Sequence, residues 1–206
     1  MSIRTCAISV VLCVAVPIGG VAAARAGEKL SCEGPLGPKA THESVKAAFG
    51  AANVRLEKID GPEGETFETT VIYPDDPTRR LELIWTDDAK RRGLSDVRMG
   101  PKATWVAPNG LAIGSTLAEV EAANGRPFVL SGFEWDYGGT VTDWKGGALD
   151  KPAPGGCMVS VTLAPGPKPP GKALRAVSGD FAFPSSKAEM KAVAPTVSRL
   201  SFGWPQ

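Results

Sequence analysis

The sequence predicts an α+β fold: two tandem helix-plus-antiparallel-sheet repeats that form a continuous or paired sheet with helices on one face. Two observations carry this. Thr41-His-Glu-Ser-Val45-Lys-Ala-Ala-Phe-Gly50 and Thr116-Leu-Ala-Glu-Val120-Glu-Ala-Ala-Asn-Gly125 share Thr, Val, Ala-Ala and Gly in register, 75 positions apart. Strand-like alternation then clusters after each of these segments instead of alternating with helices, the pattern of α+β rather than α/β proteins. The composition agrees. Of 206 residues, 43% are hydrophobic and 22% charged, a globular mixture that can bury a core.

Residues 1–26 read as an export signal rather than as fold. Arg4 supplies a positive start, Ala7 to Val16 is apolar or small, and Pro17, Gly19 and Gly20 interrupt any helix. Ala24-Arg25-Ala26 fits the small-x-small pattern of a signal peptidase, which places cleavage after Ala26. The competing reading is an uncleaved anchor, since Cys6 to Ala24 carries no charge. Lys29-Leu30-Ser31-Cys32 lacks the aliphatic residue that lipidation wants at the lysine position. The remaining units are a first repeat over 27–110 and a second over 111–206 that ends in a C-terminal strand.

Cleavage takes 26 residues and leaves 180, with Cys32 and Cys157 as the remaining cysteines. An oxidising destination and one leftover pair predict a Cys32–Cys157 disulfide, worth about 4–5 kcal/mol on loop entropy. Loss of Arg4 and Arg25 also turns 23 basic side chains into 21 against 22 acidic ones. So balanced a charge offers no field for nucleic acid.

Each repeat opens with a Thr-capped helix closed by glycine, and the second has a capping box through Glu119. Val45, Ala48 and Phe49 share one helical face, as do Leu117, Val120 and Ala123. After the first helix, Thr66–Tyr73 and Arg80–Thr86 alternate around the turn-forming Pro74-Asp-Asp-Pro77, which predicts a hairpin. Ser95–Met99 and Thr104–Ala107 are weaker strands. After the second helix, Phe128–Tyr137, Gly139–Trp144 and Cys157–Leu163 follow. Ala164–Lys172 carries four prolines and predicts an extended surface connector. Ser186-Lys-Ala-Glu189 predicts a second capping box opening a short helix through Val193, and Val197–Trp204 alternates as a closing strand.

The Ile113-Gly-Ser-Thr116-x-x-Glu119-Val120 opening with Gly125-Arg-Pro127 at the helix end resembles the SmpA/OmlA and beta-lactamase-inhibitor-protein-like superfamily. In that group a Gly-x-Thr-x-x-x-Val helix ends in a Gly-x-Pro turn and precedes an antiparallel sheet. The tandem arrangement is similar to the inhibitor branch, although this chain shows one helix per half and no lipid-bearing cysteine. The resemblance implies a fold that holds or assembles other proteins without chemistry of its own.

The residue inventory points the same way. His42 is the one imidazole, set at the first turn of a predicted helix where the dipole disfavours its cation. One histidine and no free thiol do not suit zinc. Asp75-Asp76 and Asp87-Asp88 are adjacent pairs at turns, and adjacent strand residues face opposite ways, which does not suit a dyad. Asp60–Glu65 is acidic enough for calcium, but its Gly-Pro and second Gly read as a turn. Lys90-Arg91-Arg92 reads as a solvated knot beside Asp87, Asp88 and Asp96.

No catalytic residue, metal ligand or cofactor is assigned. Trp135, Asp136, Tyr137 and Trp144 are the candidate binding residues, because rings beside a tight turn carry large area at little entropic cost. Phe133, Trp135 and Tyr137 share one alternation face, so the rival and favoured reading of the segment is core, with Tyr137 and Asp136 the residues expected to be exposed. The expected function is an exported protein-binding or inhibitor-like module of the cell envelope, periplasmic or secreted, with a protein partner, no nucleic acid and no anchor after cleavage. The alternatives are an envelope glycan hydrolase using a carboxylate pair, or a small-ligand carrier.

Overall fold

The computed structural model describes residues 27–61 and 64–205. The expected signal segment lies outside them, as does part of the Asp60–Glu65 turn. The fold is α+β with two antiparallel sheets. The first half runs α1 (His42–Phe49), β1 (Val54–Asp60), β2 (Thr66–Ile72), β3 (Leu81–Asp87) and β4 (Arg92–Met99). The second runs α2 (Leu117–Asn124), β5 (Val129–Ser131), β6 (Val141–Asp143) and β7 (Met158–Ala164). It continues through α3 (Gly171–Arg175), β8 (Ala182–Pro184), α4 (Ala188–Ala192) and β9 (Thr196–Gly203).

Both main helices start as their sequences require. The Thr41 hydroxyl accepts from the Ser44 N–H and the Thr116 hydroxyl from the Glu119 N–H, each within a reciprocal capping box. Gly125 closes α2 in the left-handed region at φ 75°. Gly50 ends α1 with φ 87° but an extended ψ, and a single 3-10 turn over Ala51–Asn53 then leads the chain into β1.

Sheet order is β1-β2-β3-β4-β9-β7, and a shorter sheet is ordered β6-β5-β8. An antiparallel bridge between Thr140 and Thr162, with the Leu163 N–H donating to the Gly139 carbonyl at 2.9 Å, links the β6 side to β7. Gly139 is required there. Its φ is 77°, and a Cβ would collide with the Leu163 carbonyl oxygen. Across this link the second half is also a meander, β5-β6-β7-β9, which meets β4 of the first half through β9. Residues 165–195, holding α3, β8 and α4, are inserted before its last strand.

The halves match in finer detail. The cap residue of each helix bridges the first residue of the last strand of its meander, Thr41 to Arg92 and Thr116 to Thr196. The His42 N–H donates to the Arg91 carbonyl at 3.0 Å, and the Leu117 N–H to the Pro195 carbonyl at 3.1 Å. The Gly93 N–H donates to Ala40 at 3.0 Å, and the Val197 N–H to Ser115 at 2.8 Å. β4 and β9 then pair antiparallel in the middle of the sheet, Val97 opposite Phe202, which is how two copies related by a local dyad would meet.

Register separates two faces. The row Leu56, Thr70, Leu83, Val97, Phe202, Val159 crosses six strands on the helix-covered side and is largely buried. It joins Val45, Val120, Phe128, Leu130 and Leu163 in one core. The adjacent row, Arg55, Val71, Glu82, Arg98, Ser201, Ser160, lies on the opposite face and is polar but for Val71, which is itself fully buried there; elsewhere the face is open. Period-two alternation thus builds a core and a wet surface from the same strands.

Asn124 secures the end of α2. Wholly buried, its amide donates to the carbonyls of Arg126 and Trp144 and accepts from the Leu149 N–H. The Cys32–Cys157 disulfide forms, with Cα atoms 5.9 Å apart, and ties the lead-in to α1 to the start of β7.

Several expectations need correction. Val54–Asp60 is a full strand, hidden in the sequence because Arg55, Glu57 and Lys58 break its apolar pattern. Thr104–Ala107 forms no strand; only Val106 pairs, with Lys29 and Ala112. Phe128–Tyr137 shrinks to three strand residues because the chain folds back on itself at Gly132–Gly139. The Ser186–Glu189 box does not form. α4 is preceded by Lys187 with no side-chain cap, and the neighbouring Ser185 hydroxyl instead accepts from the Phe128 N–H and donates to Glu121. The connector after Ala164 is extended only to Pro170, beyond which α3 begins.

Candidate functional site

The open face changes character from one edge to the other. On β1–β3 it carries a ladder of ion pairs. Arg55 makes a two-nitrogen contact to Asp75 at 2.7 and 2.8 Å and also reaches Glu57. Arg80 binds Glu57 at 2.7 Å and Glu82 at 3.0 Å. Burial alone would raise the Glu57 carboxyl, but Arg80 and Arg55 outweigh it and hold the group below the usual range. Asp76 is held down to about 2 by the Thr78 hydroxyl and Arg79. The hairpin turn itself is pinned by Tyr73, at φ 49°, with the Arg79 guanidinium 4.0 Å above its ring.

On β4, β9 and β7 the same face is lined by hydroxyls and two arginines. β4 pairs with β9 only at residues 96–98 and then parts from it while staying on β3, Met99 opposite Leu81 and the Gly100 N–H donating to the Arg80 carbonyl. The gap is a recess of about 370 Å³ bordered by Glu82, Arg98, Pro101, Ser160, Arg199 and Ser201. A neighbouring recess of about 420 Å³ is bordered by Phe133, Glu134, Trp135, Leu174, Ser198 and Arg199. Both include Thr162, Ser198 and Arg199, so they run together as one groove along β9. A bulge between Thr162 and Leu163 turns Ser198 into it, and the Ser198 hydroxyl donates to the Thr162 carbonyl.

The charges differ in their partners. Arg98 lies 3.6 Å from Asp96, whose carboxyl is raised by burial despite the Ser201 hydroxyl and Arg98. Arg199, paired through its backbone with Thr162, is exposed, and its side chain makes no hydrogen bond or ion pair among the described residues. At the far end the Trp135 indole N–H is buried without an acceptor, an arrangement that costs about 1–3 kcal/mol.

The structure divides the residues singled out from sequence. Trp135 is half-buried and borders the groove, with its ring 5.7 Å from Tyr137 in an edge-on pair. Tyr137 is 70% exposed and Asp136 is exposed beside it. Phe133 beneath them is core. Trp144 does not join this group: at 8% exposure it packs on Phe128, ring centres 5.2 Å apart, because β6 turns its end back toward α2. Arg98, Arg199, Ser160, Ser198 and Ser201 were not singled out. For Ser160, Arg199 and Ser201 the signal was available, since polar residues alternating with Val159, Val161, Leu200 and Phe202 share the face away from the core. Ser198 instead has the parity of Leu200 and reaches that face only through the bulge. Which alternating residues lie next to a strand divergence depends on long-range register.

Asp75, Asp76 and Asp87 are engaged by local partners at turns. Among the described residues no three His, Cys, Asp or Glu side chains gather as a metal site. Comparison with protein-family models, curated proteins and solved structures returns no significant match to this chain.

Proposed function

We propose that this chain is an exported binding module that docks a protein partner on the open sheet face along β4, β9 and β7. One observation carries the reading. Where the two meanders meet, the face opposite the core opens into a groove with an arginine that has no counter-ion and an indole that has no acceptor. Tyr137, exposed beside the groove, adds the amphipathic ring that interface centres favour. Export is supported by the disulfide, which needs an oxidising compartment to persist. No helix among the described residues is long and apolar enough to cross a membrane. We place the protein in the periplasm or outside the cell.

The test is capture from envelope extract with immobilised protein. Ser160 is exposed in the groove, and Ser160→Trp would fill it without touching the core. A specific partner held by the wild type is expected to be lost with Ser160→Trp and weakened with Tyr137→Ala. Undiminished capture by both variants overturns the assignment of this face.

A further inference from the structure

The groove also specifies the chemistry of what it receives. Each carboxylate on its border already has a donor. Glu82 takes Arg80 and Glu134 takes the Ser178 hydroxyl, and Asp96, outside the lining but next to Arg98, takes Ser201 and Arg98. The unmatched group open to a ligand is a donor, the Arg199 guanidinium; the Trp135 indole N–H also lacks an acceptor but is buried below the groove surface. Ser160, facing the same space, has no partner among the described residues. A ligand that fits must therefore bring acceptors, and a carboxylate beside Arg199 would gain a charge-assisted bond without displacing any existing pair.

The far end differs. Phe133, Leu174 and the Trp135 ring give it an apolar wall in the recess that Arg199 also borders. A small inorganic anion would use only the first part. An extended chain segment would use both.

We propose that the groove along β9 receives an acidic segment of a protein partner, an Asp or Glu carboxylate seated on Arg199 with an apolar side chain next to it against Trp135. This rests on the docking assignment above and adds the partner's local chemistry. The donors in the groove then serve as the specificity element, rejecting basic segments by leaving Arg199 facing like charge.

A phage-displayed random dodecapeptide library selected on the full chain tests it. Selected peptides are expected to be enriched in an acidic residue flanked by an apolar one. Arg199→Glu is expected to weaken them by at least about tenfold, with Lys39→Glu, an exposed change ahead of α1, leaving them unaltered. Circular dichroism melts matching the wild type show that Arg199→Glu folds. Peptides without acidic bias, or binding that Arg199→Glu leaves intact, overturn the proposal, and so does a library that yields no binder. Displacement of the peptides by inorganic phosphate at matched ionic strength, with Trp135→Phe unaltered, also overturns it in favour of a small-anion site. Ser160→Trp separates the two claims. Peptides that lack acidic residues but are lost with Ser160→Trp sink the acidic segment and keep the docking face; peptides indifferent to both variants sink both.

Discussion

The two meanders share a plan and differ in what they do with their outer faces. In the first, Asp75, Arg55, Glu57, Arg80 and Glu82 neutralise one another in sequence along the strands. In the second, Ser160, Ser198 and Ser201 replace charges, and Arg199 is left alone. Pairing within the chain satisfies a face and makes it indifferent to ligands; leaving one cation unpaired makes it selective. The halves also differ in closure. β3 passes to β4 through residues 88–91, whereas β7 passes to β9 through residues 165–195, whose inserted elements help build the apolar end of the groove.

The largest expected effect tests whether the halves stand alone. The Cys32–Cys157 bridge joins the entry of one to the third strand of the other across a sequence separation of 125. Cys32→Ser with Cys157→Ser is expected to cost about 4–5 kcal/mol in chemical denaturation, from the entropy returned to the unfolded chain. A single transition at lower denaturant would mean the β4–β9 ladder alone keeps the halves cooperative. Two transitions would mean the disulfide does.

The ion-pair contrast predicts a difference between two arginines. Arg80, 22% exposed, holds two carboxylates that are themselves partly covered. Arg80→Met should cost about 2 kcal/mol, below the figure for a fully buried pair because solvent screens it. Arg199→Met should change stability by no more than about 0.5 kcal/mol, as for an exposed site without partners. Equal losses in thermal melts would show that Arg199 has a structural role, and the comparison between the faces would fail.

How far this was legible in the sequence differs by feature. The capped helices were, because Thr at the start and Gly at the end act locally. So were the α+β class and the disulfide, the latter by elimination of other cysteines. The groove was not. It arises where β4 abandons β9 after three pairs, and nothing in Arg98-Met99-Gly100 or Arg199-Leu200-Ser201 alone announces that the strands part there. β1 escaped notice for a related reason: its outer face carries the charged ladder, so its pattern looks like a loop until β2 is laid beside it.

The caps test equivalence at smaller scale. Thr41→Ala and Thr116→Ala each remove the acceptor for one N–H in a reciprocal box, so each should cost about 1 kcal/mol. Urea midpoints that fall by the same amount would support the match between the halves in energy as well as geometry. A much larger loss for one would locate the half on which folding depends.

The smallest effect belongs to the position just after the cap, where the matched helices carry His42 against Leu117. The His42 Nδ1 lies 2.9 Å from the Thr70 hydroxyl, which also accepts from the Trp85 indole. Burial lowers the pKa of His42 below its ordinary 6.5; Glu43 opposes that, while Lys46 and Arg91 add to it. The unfolded chain therefore takes up this proton at a higher pH than the folded one. Stability is full above about pH 7 and falls as the pH drops through 6.5 toward the folded value, the sign required when the unfolded state binds more protons. His42→Gln, which keeps a hydrogen-bonding side chain opposite Thr70 without titrating, should flatten stability between pH 7 and about 5. Asp96, with its carboxyl raised by burial, acts with the opposite sign at lower pH, because protonation there favours the folded state. A wild-type curve that rises on acidification through 6.5 would mean that His42 gains, rather than loses, by carrying charge against β2.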